Sequence, residues 1–122
     1  METKRTKGIK ELKAEVCKLA YHFITEKGMN QSEAMQIAWA NAVLRNALHH
    51  RTNIDFCFMK ADGQTRRAFG TLAGVEDFGN VGGETEGYNM NVQRYYDNEK
   101  KAWRSFKREN LICVNHYYRL TF

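Results

Sequence analysis

Proline is absent from the 122 residues, and cysteine is scarce, at three. The missing proline leaves no linker signal between domains. Cys17, Cys57 and Cys113 are odd in number and far apart, with no Cys-x-x-Cys pair. That pattern excludes a disulfide scaffold and speaks against a structural zinc site; reduced thiols in a cytoplasmic protein are expected. No run approaches the ~20 consecutive apolar residues of a membrane span. The charged start, Met1 to Lys7, leads into an amphipathic segment and not the continuous apolar core of a signal peptide, so no leader is expected. Catalytic patterns are missing as well. There is no Ser/His/Asp order, no His-Glu-x-x-His and no framed pair of carboxylates, so the chain is expected not to be an enzyme and to call for no cofactor.

What remains is one ordinary domain's worth of material. Hydrophobic residues make up 43% and aromatics 12%, enough to fold around a core without metal or disulfide. Lysine and arginine outnumber the acids by 19 to 14, giving a formal net charge of +5. The chain divides near residue 50. In the first part, Ile9, Leu12, Val16, Leu19, Ala20, Phe23 and Ile24 recur at spacings of three and four, one apolar stripe along a first helix. Gly28 is placed to end it. Asn30 followed by Glu33 resembles a capping box, and opens a second helix over about 31–48. That helix is apolar over a wide arc and carries only Arg45 before His49-His50, so packing is expected of it, and not the reading of a DNA groove, despite the helix-turn-helix outline. His49 and His50 close it, where a cationic ring suits the macrodipole. The three cysteines sit among apolar or strand-forming neighbours and are expected to behave as small hydrophobes.

Residues 51–122 read as strands. Ile54, Phe56 and Phe58 alternate with Asn53, Asp55 and Cys57, the period of a half-buried strand. Asp62-Gly63 predicts a type I′ hairpin turn. A second strand returns over 64–72, with Arg66 and Arg67 on opposite faces. Residues 73–87, with five glycines and four acids, read as a connecting loop. A third strand over 88–96, a turn at 97–100, a fourth strand over 102–106, a single helical turn at 107–110 and a fifth strand over 111–114 follow, with 117–122 as a sixth edge strand or a tail. Five short strands with one long loop and a late single turn indicate a small barrel. The expected class is therefore α+β: an N-terminal helical pair (residues 1–50) followed by a small five-stranded barrel (residues 51–122).

Two segments carry a family resemblance: the hairpin from Phe56 to Leu72, and the run Tyr95-Tyr-Asp-Asn-Glu-Lys-Lys-Ala-Trp-Arg-Ser-Phe-Lys-Arg-Glu-Asn-Leu-Ile112. Over about residues 52–114 the chain resembles the WYL-type Sm-like, SH3-like β-barrel proteins, small proteins of Bacteroides-type bacteria and their mobile elements. The run Tyr-Asp-x-Glu-x-x-x-Trp-Arg-Ser-Phe is the most specific part. The resemblance implies a five-stranded Sm-like barrel related to ligand-sensing domains of bacterial transcription regulators. There, basic and aromatic residues of the sheet contact nucleic acid or a nucleotide-like ligand; carried over by motif, they are Tyr96, Trp103, Arg104 and Phe106. The Trp-Tyr-Leu tripeptide that names the larger family is absent from this sequence.

The residues themselves point the same way. From Arg94 to Arg108, cations (Arg94, Arg104 and Lys107 among them) interleave with Tyr95, Tyr96, Trp103 and Phe106, the composition of a platform that tracks phosphates and stacks bases. Alternation limits it: Tyr95 and Tyr96 cannot both face out, nor can Trp103 and Arg104 share a face. Arg66 and Arg67, just after the hairpin turn, are further cationic candidates. The loop over 79–87 lacks a Gly-Lys-Ser/Thr ending and carries two acids, so it is not expected to cradle phosphate. The expected function is a non-enzymatic, regulatory binding protein for nucleic acid or a nucleotide-like ligand. The alternative is a mobile-element interaction protein that sequesters a protein partner or a signalling nucleotide. Barrels of this kind also pair edge to edge, which leaves room for a homo-oligomer.

Overall fold

The computed structural model describes residues 9–73, 90–115 and 118–119. The glycine-rich segment 74–87, the start of the third strand expected at residue 88, and residues 116–117 and 120–122 lie outside the described residues. Helix α1 spans Ile9–Lys27 and helix α2 spans Gln31–His50. The turn between them follows from its residues. Gly28 adopts φ +71, a left-handed conformation that a Cβ disfavours. The Asn30 side chain accepts a hydrogen bond from the Glu33 N–H at 2.8 Å, satisfying one of the donors that a helix start leaves open.

Two apolar cores share α2. Val16, Leu19, Ala20 and Phe23 of α1 pack against Ala34, Ile37, Ala38 and Ala42. The alanines let the two helices approach closely. Further along, Ala40, Leu44, Ala47 and Leu48 enter a second core with Ile54, Phe56, Phe58, Ala68, Tyr95, Phe106, Leu111 and Val114. The wide apolar arc of α2 is thus filled from two sides, which makes it a packing helix. Two expectations for the first part need correction. Cys17 is exposed and does not act as a core hydrophobe. Ile24, at the end of the apolar stripe, is 37% exposed, one helical step round from the fully buried Phe23.

The strands are β1 (Ile54–Met59), β2 (Thr65–Thr71), β3 (Val92–Asp97), β4 (Ala102–Lys107), β5 (Leu111–Val114) and the short β6 (Tyr118–Arg119). They form one antiparallel sheet in the order β4-β3-β2-β1-β5-β6: a four-strand meander whose later strand β5 returns to lie beside β1. A 3₁₀ turn, Arg108–Asn110, steers the chain from β4 into β5. Asn41 of α2 donates from Nδ2 to the Arg108 carbonyl at 2.9 Å, fixing that turn to the helix. The seam between β2 and β3 is short, with Gly70 opposite Asp97 and Thr71 opposite Tyr96.

The β1–β2 turn differs from the expected type I′. Among the non-glycine residues described, only Lys101 has a positive φ, so Asp62 does not take the conformation that type I′ requires. Instead the Gly63 N–H reaches the Lys60 carbonyl at 2.9 Å and Gly63 follows at φ +90. This is a three-residue loop, a type I turn closed by a left-handed glycine. The Asp62 carboxylate accepts from the Gln64 N–H at 2.9 Å and holds the loop in that form.

Candidate functional site

The β3–β4 ladder runs from Val92 opposite Lys107 to Asp97 opposite Ala102. Side chains directly opposite in an antiparallel pair share a face, and neighbours along a strand do not. Gln93, Tyr95 and Asp97 therefore face the barrel interior with Phe106, Arg104 and Ala102. Arg94 and Tyr96 face outward with Ser105 and Trp103.

On the outer face the Arg94 guanidinium lies over the Trp103 ring, 4.5 Å from its centroid. Tyr96 meets the same indole edge-on at 5.7 Å. All three side chains are half-buried. This is a cation-capped aromatic cluster, and three of the eight candidates, Arg94, Tyr96 and Trp103, belong to it.

On the inner face the rings of Phe56, Phe58, Tyr95 and Phe106 pack as a block. Phe58 stacks on Phe106 at 4.8 Å, and Tyr95 meets Phe56 edge-on at 5.0 Å. Part of this block walls a cavity of about 390 Å³. Phe58, Tyr95 and Phe106 line it together with Val92 and Met59, and Lys60, Arg66, Arg104 and Lys107 supply the charge. Arg66, Arg104 and Phe106 are thus brought together, while Lys107, opposite Val92 in the register, belongs to the outer face with Arg94, Tyr96 and Trp103 and borders the cavity from the end of β4.

Two candidates take a different role from the expected one. Phe106 is only 5% exposed and its face is covered by Phe58, so it forms cavity wall and cannot serve as an open stacking platform. Arg67 lies on the outer face of β2, where its guanidinium forms a two-pronged ion pair with Asp55, Nε donating to Oδ1 at 2.8 Å, and rests over Phe69. It does not reach the cavity, because one step along a strand reverses the face from that of Arg66.

Charge at the cavity is unevenly compensated. Arg66 donates to Asp97 Oδ2 at 2.5 Å. Asp97 is fully buried, and its other oxygen accepts the Glu99 and Lys100 N–H groups, each at 2.9 Å, so one carboxylate fixes both the β3–β4 turn and the arginine. Lys60 pairs loosely with Asp62 at 3.7 Å. Arg104 and Lys107 have no carboxylate partner among the described residues, and both are exposed. Between Arg66 and Arg104 sits Tyr95, whose hydroxyl is pushed up to about 12, chiefly by burial and further by Asp97, against the pull of the two arginines. The hydroxyl stays neutral at physiological pH and adds no negative charge to the cavity. Lys60, Phe58 and Tyr95 were not among the sequence candidates. Strict alternation from Arg104 to its partner strand would have found Tyr95; Phe58 and Lys60 come from a hairpin far away in the chain and carry no local signal.

Among the described residues no group of three or more His, Cys, Asp or Glu side chains could hold a metal ion, and no helix is long and apolar enough to cross a membrane. No curated protein and no solved structure matches the chain significantly. A family model does match, over residues 41–112: WYL_2, described as an Sm-like SH3 beta-barrel fold. The match starts inside α2, at the residues that enter the barrel core, and ends in β5, so it covers the meander, both faces of β3–β4 and more than half of the sequence. On that match and this topology, the chain belongs to the WYL_2 family of Sm-like SH3 β-barrels.

Proposed function

We propose that the protein is a non-catalytic, regulatory binding protein whose barrel cavity takes up a nucleotide-like anion. One observation carries the reading: Arg104 faces inward opposite Tyr95, with no carboxylate partner among the described residues, at the mouth of a cavity walled by Phe58, Tyr95 and Phe106. Apolar ring walls with a few convergent charged groups are the usual make-up of a small-molecule site, and about 390 Å³ lies at the smaller end of the range for such sites. A base or sugar would lie against the ring edges, and a phosphate would meet Arg104, Lys107 and the fixed guanidinium of Arg66. Membership of a WYL-type family supports a regulatory role for a ligand- or nucleic-acid-binding barrel. No catalytic step is part of the proposal. A free nucleotide and the end of a single strand offer the same chemistry to this cavity.

The test is fluorescence anisotropy with a labelled mononucleotide, single-stranded DNA, single-stranded RNA and duplex DNA at two salt concentrations. Binding should weaken with salt, as a phosphate contact requires. Arg104→Ala should weaken it by about 10- to 100-fold, the value of a charge-assisted hydrogen bond, and Lys107→Ala should act in the same direction. Trp103→Ala should leave nucleotide binding unchanged. The reverse result, Arg104→Ala silent and Trp103→Ala damaging, would move the site to the outer aromatic cluster and favour a protein partner.

A further inference from the structure

Strand β1 presents its odd-numbered residues, Asp55, Cys57 and Met59, away from the core, while Ile54, Phe56 and Phe58 are buried. In the ladder with β5, Cys57 is directly opposite Cys113. Opposed residues of an antiparallel pair have Cα atoms about 4.5–5.5 Å apart, inside the roughly 4.4–6.8 Å window that a disulfide bridges without backbone movement. The two side chains share one face of the sheet. Burial, followed by the neighbouring Cys113, pushes the Cys57 thiol up, so the thiolate that reacts becomes more abundant as pH rises. The Cys113 thiol also donates a hydrogen bond to the Asn115 side-chain oxygen at 3.5 Å. Both cysteines are reduced in this structure, and Cys57 is open enough to be reached. On β2 the position opposite Cys57 is Arg67, whose guanidinium is already paired with Asp55. The ladder thus brings two cysteines more than fifty positions apart in the sequence into register.

We infer that Cys57 and Cys113 form a redox-reactive dithiol site for small disulfides, of which oxidised glutathione is the type. The Cys57 thiolate attacks one sulfur of the disulfide, whose S–S bond breaks; one glutathione leaves and takes a proton from water. Cys113, losing its proton to water, then attacks the Cys57 sulfur of the mixed disulfide, and the second glutathione leaves and is protonated. Two protein thiols are oxidised to one disulfide and one small disulfide is reduced to two thiols. The product closes a loop from residue 57 to residue 113, which holds β2, β3 and β4, and so staples the long-range β1–β5 joint. Cys17, exposed on α1 with no cysteine opposite, can only stop at the mixed disulfide.

The experiment incubates the full chain with oxidised glutathione and follows intact mass, free thiols and peptide maps under non-reducing conditions. The expected product has lost two hydrogens through a Cys57–Cys113 link, with glutathione retained only at Cys17, and its denaturant midpoint is higher than that of the reduced protein. Cys17→Ser should give the link with no adduct. Cys113→Ser should stop with glutathione held at Cys57. Persistence of both thiols in the wild-type chain, or a Cys57 adduct that Cys113 does not resolve, would overturn the inference. Cys57→Ser alone gives a control that must keep its Cys113 free of any intramolecular link.

Discussion

Tyr95 ties the core, the sheet and the cavity to a single ring. It is fully buried, packs edge-on to Phe56 and lies between Arg66 and Arg104. Its hydroxyl is raised from the ordinary 10.0 to about 12, so the unfolded chain gives up this proton first. The stability that depends on it is whole below about pH 10 and is lost as pH rises from there through the folded value, a loss of roughly 2–3 kcal/mol. Urea midpoints measured between pH 9 and 12 should therefore fall more steeply for the wild type than for Tyr95→Phe, which has no proton to lose. Equal slopes would show that the ring's burial does not govern alkaline unfolding.

Among the elements, the seam between β2 and β3 is a short joint inside the meander. Gly70 sits in it, and a Cβ there would come within 2.6 Å of the Tyr95 ring and 3.0 Å of the Tyr96 carbonyl. The ring has no room to retreat, because Phe56 and Phe58 stand against it. Gly70→Ala should cost about 1–3 kcal/mol through overpacking, read as a lower denaturant midpoint at unchanged slope. The element boundaries were largely legible in the sequence, because caps and alternation are local. Asn30 and Gly28 mark the break between the helices with their own side-chain and backbone requirements, and β5 falls on the expected residues 111–114. The turn at Asp62-Gly63 was legible as a turn but not in type, since the dipeptide does not state whether Ala61 belongs to the loop. The site was legible in half. Alternation separates Arg104 from Trp103, but whether Phe106 is platform or wall depends on Phe58, which only the β1–β2 hairpin brings against it. Arg67 looked free in the sequence because its partner Asp55 lies across a strand pair.

At the scale of the whole molecule, α2 is the element that both cores depend on. Its first half holds α1 and its second half closes the barrel interior, and Asn41 between them is hydrogen-bonded to the turn that leads into β5. A helix so placed cannot lose one partner and keep its structure for the other. Heating should therefore produce a single calorimetric transition, with van't Hoff and calorimetric enthalpies equal, and not an early melting of the helical pair followed by the barrel. Two resolved transitions would show that the cores separate. If they do not separate, the molecule has no autonomous lobes: the helices are part of one cooperative unit, and any ligand that tightens the barrel will raise the melting point of α1 by the same number of degrees, although α1 lines no part of the cavity.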